Sequence, residues 1–155
     1  MATVTYIREK KQSLGAMKAV MRYCMKEEKI WDEQSGRNLI SGINCDSRNT
    51  ITEFLATKTA HRKLDGINFY QYVQSFSPRE RLTPVQAHEI AKEFAERAWP
   101  GHEVQVTTHC DAAHIHSHFI INSVSYATGQ KLRQNPATLK QLRKLFMSRS
   151  ALSKS

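Results

Sequence analysis

The chain has 155 residues, of which 40% are hydrophobic and 24% charged, and a net charge of +9. That size supports one core rather than two, and the composition excludes both a disordered polyelectrolyte and a membrane span, since no run approaches the ~18 consecutive apolar residues a span needs. The basic excess is local: residues 131–155 hold seven Lys or Arg and no acid, while residues 1–130 carry only +2, a pattern suited to a polyanion such as nucleic acid.

In chain order, Ala2–Ile7 is rich in β-branched residues and predicts a strand. After a basic loop at Arg8–Lys11, Gln12–Met25 predicts a helix. Leu14, Met17, Val20, Met21 and Cys24 recur there at three- and four-residue spacing, and Ser13 is placed to cap it. Lys26–Asn38 is polar, contains Gly36 and reads as a loop; Leu39–Asn44 predicts a strand. Thr50 followed by Glu53 spells a capping box that opens a helix to about Lys63, with Ile51, Phe54 and Leu55 inward. Asp65-Gly66 turns the chain into a two-faced strand at Ile67–Phe76. Pro78–Leu82 reads as a loop. Thr83-Pro84-Val85-Gln86 then starts a helix to about Trp99, with Ile90, Phe94 and Ala98 on its stripe. Val104–Cys110 and His114–Val124 predict two strands, joined through Asp111 as an antiparallel hairpin. Ser125–Leu132 is a turn with a short strand. Ala137–Met147 is a basic helix with Leu139, Leu142, Leu145 and Phe146 inward. This order implies an α/β (α+β) fold, with helices packed on the faces of a mostly antiparallel sheet. Cys24, Cys45 and Cys110 have neither disulfide nor zinc spacing, and the N-terminus has no apolar signal segment, so a cytoplasmic location is expected.

Four of the seven histidines fall between His109 and His118. On a continuous strand His114, His116 and His118 share a face, with neighbours roughly 6.5–7 Å apart. That spacing lets imidazoles converge on one metal ion, and His109 supplies a further nitrogen from across the hairpin. A histidine-only set leaves coordination positions open for a substrate oxygen. Asp111 is placed to accept a ligand histidine's second N–H. A single strand histidine is ordinarily a satisfied or surface residue; four in one hairpin are harder to explain that way. Tyr23 lies about 100° from the centre of the first helix's apolar stripe. Its phenol therefore sits at the margin of the core, able to reach a cleft.

These elements resemble the relaxase, or mobilisation nuclease, domains of conjugative plasmids and conjugative transposons, within the HUH endonucleases. The resemblance covers almost the whole chain. It is carried by the first helix with Tyr23, by Leu39–Cys45, by Gln74–His109 and by the histidine run through Asn122 and Val124. It implies a five-stranded sheet and an enzyme that nicks one DNA strand at an origin of transfer, forms a covalent 5′-phosphotyrosine and rejoins the ends. Tyr23 becomes the nucleophile, with Asp111 and His114 as catalytic partners. His109, His116 and His118 become ligands of a divalent ion, Mg2+ or Mn2+, with Zn2+, Ni2+ and Co2+ also allowed by the ligand type. Ser117 between His116 and His118 departs from the strict histidine–hydrophobe–histidine spelling, while His114–His116 satisfies it, so the ligand register stays open. A bacterial cytoplasm, accessory relaxosome proteins and a coupling ATPase follow from the same resemblance.

Expected DNA contacts are Arg8, Lys10, Lys11, Arg79, Arg81, Asn122, Lys131, Arg133, Lys140, Arg143 and Lys144, with Tyr70 and Tyr72 as candidates for base stacking. Residues 1–135 are taken as the catalytic domain and 136–155 as a basic helix continuing into a longer protein. Two other readings remain at this point. A rolling-circle replication initiator ordinarily carries its tyrosine after the histidines, where only Tyr126 stands. A non-catalytic DNA-binding module with a structural metal ordinarily uses four closed ligands.

Overall fold

The computed structural model of the chain describes residues 3–111 and 113–154, with residues 149–154 by backbone alone. Strand β1 (Thr3–Ile7) leads through the basic loop to helix α1 (Leu14–Cys24). The Ser13 side chain caps α1 by accepting from the Ala16 N–H at 3.0 Å, a bond worth about 1 kcal/mol. Met17, Met21 and Cys24 are buried on one stripe. A four-residue helix α2 (Glu27–Ile30) and a small hairpin, β2 (Trp31–Asp32) with β3 (Arg37–Asn38), follow. Then come β4 (Ile40–Ile43), α3 (Thr50–Ala60) and β5 (Phe69–Ser75). After a single 3-10 turn, α4 (Pro84–Ala98) opens with a complete capping box: Thr83 and Gln86 exchange side-chain and backbone bonds at 3.0 and 3.1 Å. Strands β6 (Val104–His109) and β7 (His116–Asn122) and helix α5 (Pro136–Lys154) complete the chain.

The five long strands form one antiparallel sheet in the order β1-β5-β7-β6-β4. Because side chains alternate along each strand, the sheet has two apolar faces and carries helices on both. One face packs Val106, Phe119 and Ile121 against Phe94 of α4 and against Leu142 and Phe146 of α5. The other packs Phe69 and Ile120 against Met17, Met21 and Cys24 of α1 and Phe54 of α3. Helix α5 thus shares a core with α4, and Arg143 donates from Nε to the Val4 carbonyl of the edge strand at 3.0 Å. Gly42 is required where β4 turns away, because a Cβ there would lie 2.2 Å from the Cys45 carbonyl oxygen. Among the described residues no helix is long and apolar enough to cross a membrane.

The five-stranded sheet with helices on its faces matches the expected architecture. Several local expectations change. The stretch read as a loop at Lys26–Asn38 contains α2 and the β2–β3 hairpin. The Thr50–Glu53 capping box does not form. Asn49 is the N-cap; Thr50 donates to Gln105 Oε1 at 2.6 Å, and Glu53 accepts from the Asp46 N–H at 2.6 Å. His114 is not on a strand: β7 begins at His116, which pairs with Ser75, the last residue of β5. Tyr70 and Tyr72 are buried in the core instead of lying open to bases, and the Tyr70 hydroxyl donates to the Leu132 carbonyl.

Candidate active site

Register places the histidines. His109 pairs directly with His116, and Thr107 with His118, so all four project from the α1 face of the β6–β7 hairpin. The rings of His109 and His118 lie against each other with centroids 4.2 Å apart and planes inclined by 30°. His114, in the connecting turn and exposed, has its ring 6.4 Å from that of His116. Burial pushes the His118 ring down to about 3, with the charges of His109 and His116 acting in the same direction. Burial also lowers His109. Both rings are therefore neutral at physiological pH, each with one N–H and one lone pair. One nitrogen of each ring is already engaged: His109 Nε2 lies 3.0 Å from the Cys24 carbonyl oxygen and His118 Nδ1 lies 3.1 Å from the Gln71 amide. The second nitrogen of each ring is left over.

The same face grips helix α1. His109 meets the Cys24 carbonyl, and Gln105 Nε2 donates to the Met21 carbonyl at 3.2 Å. Two residues of β6 thus hold the last turn of α1, the turn that carries Tyr23. At the other end Gln12 binds β5, its Oε1 accepting from the Asn68 and Phe69 N–H groups at 2.8 and 3.2 Å. The Tyr23 side chain is 50% exposed, unlike its buried neighbours Met21 and Cys24. Lys29 Nζ lies 4.7 Å from the Tyr23 ring centroid and Lys26 Nζ 5.4 Å. Lys29 also pairs with Asp111 Oδ2 at 3.4 Å.

Asp111 was expected on a histidine N–H and is found on Lys29 instead; a backbone carbonyl and the Gln71 amide take the histidine nitrogens. Asn122, expected at DNA, is fully buried. Its Oδ1 accepts from Lys58 Nζ at 2.6 Å and its Nδ2 donates to Glu103 Oε1 at 2.9 Å, so its polar atoms are engaged inside the fold. Arg81 and His114 share a shallow cleft with Phe76 and Leu82 beside the hairpin. Arg8 and Lys10 line another with Tyr6 on the β1 edge. Lys11, Arg79, Arg133, Lys140 and Lys144 are exposed, while Lys131 is half-buried and donates to the Asp65 carbonyl. Tyr126 follows the far end of β7, roughly 20 Å along the strand from His116. Sequence reasoning missed Lys29 and Gln71, since neither sits in a motif; only the packing of α2 and β5 brings them to the histidines.

The donor set suits a divalent ion: three imidazoles on one sheet face, two of them kept neutral by burial and each of these two with one nitrogen fixed by the protein. Among the described residues no group of three or more His, Cys, Asp or Glu converges on one point as the side chains stand. The His109 and His118 rings are stacked rather than aimed at a common centre. The backbone register places the three positions side by side.

A family model described as relaxase, MobA/VirD2-like, nuclease domain matches residues 23–149. A Staphylococcus aureus protein named Protein rlx is 38% identical over 122 residues, covering 79% of this chain and 36% of that protein. A second Staphylococcus aureus Protein rlx is 39% identical over 103 residues, covering 66% and 31%. The group II intron-interrupted relaxase LtrB of Lactococcus lactis is 29% identical over 126 residues, covering 64% and 22%. The chain therefore spans little more than a third, at most, of the curated relatives it matches. With a family match running from Tyr23 into the basic helix, the chain belongs to the MobA/VirD2-like relaxase nuclease-domain family.

Proposed function

We propose that the chain nicks single-stranded DNA at an origin of transfer through attack of Tyr23 on a phosphodiester, and rejoins the ends by the reverse reaction. The observation that carries this reading is the docking of the last turn of α1 on the histidine hairpin: His109 holds the Cys24 carbonyl, and the exposed phenol of Tyr23 stands one residue away. The phenolic oxygen forms the new P–O bond while the bond to the 3′ oxygen breaks, leaving a 5′-phosphotyrosine and a free 3′ hydroxyl. One phosphodiester replaces another, so the step is reversible and needs no nucleotide triphosphate.

His109, His116 and His118 are the residues that would hold a divalent ion. When bound, such an ion neutralises a scissile phosphate and stabilises the charge of an in-line transition state. His109 and Gln105 fix where the helix presents Tyr23. Gln71 orients the His118 ring: its Nε2 faces Nδ1, and the same amide turned with its oxygen to Nδ1–H would leave the ring's Nε2 as the free lone pair. Arg81 and His114 flank the hairpin where phosphates on either side of the cut would pass, and the exposed cations of α5 are further candidates for phosphate contacts. Accessory relaxosome proteins and a coupling ATPase are proposed partners on the family resemblance alone.

The test is a Tyr23→Phe variant assayed with a single-stranded origin oligonucleotide and Mn2+. Cleavage is expected to vanish while DNA affinity stays within about tenfold, since only the hydroxyl is lost. Cleavage by the Phe variant at the wild-type rate would remove Tyr23 from this role.

A further inference from the structure

We propose that Lys29 is a further catalytic residue: its ammonium lies against the Tyr23 ring and supplies the positive charge that a phenolate at that oxygen needs. The proposal rests on Tyr23 as the attacking group. Its ground is geometric. Lys29 Nζ lies 4.7 Å from the Tyr23 ring centroid, on a side chain only 19% exposed, and 3.4 Å from Asp111 Oδ2. The backbone beneath it is tied from two directions. The Cys110 N–H donates to the Lys29 carbonyl at 2.8 Å, and the Leu39 N–H donates to the Ile30 carbonyl at 2.8 Å. Helix α2, too short to be stable alone, is thereby fixed against the end of β6 with its lysine aimed at the phenol. Lys26 is further from the ring, at 5.4 Å, and exposed.

A phenol near its ordinary pKa of about 10 is a poor nucleophile at neutral pH, and an adjacent cation favours its ionised form. Asp111 Oδ2, 3.4 Å from Lys29 Nζ, favours the charged ammonium. In the reaction the phenolic proton leaves to water and the Tyr23 oxygen bonds to phosphorus. The bond to the 3′ oxygen breaks with its electron pair on that oxygen, which then takes up a proton. Lys29 keeps its proton throughout and ends beside the phosphotyrosine. Asp111 aims the lysine and stays paired with it. The charged and titratable groups around the phenol and its lysine are Lys26, Asp111, Cys24, His109 and His118.

The experiment compares wild type, Lys29→Gln, Lys29→Arg and Tyr23→Phe in two readouts. These are nicking of a single-stranded origin oligonucleotide with Mn2+ and affinity for the same oligonucleotide by anisotropy. Lys29→Gln is expected to nick about 100-fold slower, as for loss of one charge-stabilising donor, with affinity within about threefold, as for one lost ion contact. Lys29→Arg recovers most of that rate. Wild-type nicking by Lys29→Gln, or an affinity loss that matches its rate loss, overturns the proposal. A Tyr23→Phe variant that still nicks retires the parent reading and the lysine's role with it. An inactive Tyr23→Phe beside a fully active Lys29→Gln retires the lysine alone.

Discussion

The β6–β7 hairpin meets histidine chemistry on both of its faces, and the two faces differ in what is left unengaged. On the α4 face His88 is 2% exposed, and both its nitrogens are in use. Nε2 lies 2.8 Å from Ser41 Oγ and Nδ1 2.8 Å from Thr108 Oγ1, which in turn lies 2.8 Å from Ser117 Oγ. That chain ties β4, α4, β6 and β7 together. On the α1 face His109 and His118 each use one nitrogen and keep the other. A histidine with both nitrogens satisfied holds the fold; one with a spare lone pair beside others like it can hold an ion. Sequence position does not separate them, since Thr108 and His109 are neighbours.

The sharpest way to break this contrast is to remove a histidine from each face. His118→Ala should lower nicking by at least about 100-fold with little change in melting temperature. His88→Ala should do the reverse, leaving nicking per folded molecule intact. It strands buried hydroxyls and opens a cavity, at about 2–3 kcal/mol or roughly 5–10 °C of melting temperature. Equal losses of activity and stability in both variants would erase the distinction.

Acid reads the buried His88 directly. An unfolded histidine titrates near 6.5, whereas burial lets His88 resist protonation down to about 4. The unfolded chain then binds more protons across that window, so the share of stability set by His88 is complete above about 6.5 and falls as the pH drops toward 4. His88→Gln should lessen this slope in pH-dependent thermal melts, with His109 and His118 contributing to what remains. A smaller effect is expected from Gln71→Leu, which leaves His118 without its orienting amide: Mn2+ affinity by calorimetry should weaken about 10–100-fold. Smallest are single exposed cations. Arg8→Ala or Lys140→Ala should each lower the slope of log affinity against log salt by about 0.7 for single-stranded DNA, with little change in cleavage once DNA is saturating.

The histidine hairpin was legible because alternation and spacing are local. So was α4, whose cap, proline and glutamine act on their own helix. What failed depended on distant partners. The alternation of His114, His116 and His118 continues past the point where β5 ends at Ser75, and a strand without a neighbour does not form. Thr50 and Glu53 spell a box, but Gln105 and the Asp46 amide outcompete the helix end for them. Asn122 follows the histidines in sequence, yet the buried Lys58, held down to about 7 by desolvation, needs its oxygen as an acceptor. Lys29 lies in a charged string that reads as solvated surface, and its place beside Tyr23 depends on distant partners, the Cys110 amide on its carbonyl and Asp111 on its ammonium.

The most direct measurement is peptide-level mass spectrometry of the chain after incubation with Mn2+ and single-stranded oligonucleotides tiling the origin of its own genetic element. A nucleotide remnant on the peptide containing Tyr23, dependent on the cation and abolished by His109→Ala, is the predicted result. A remnant on Tyr126 or another residue, or cleavage of the oligonucleotide with no protein adduct, would contradict the mechanism.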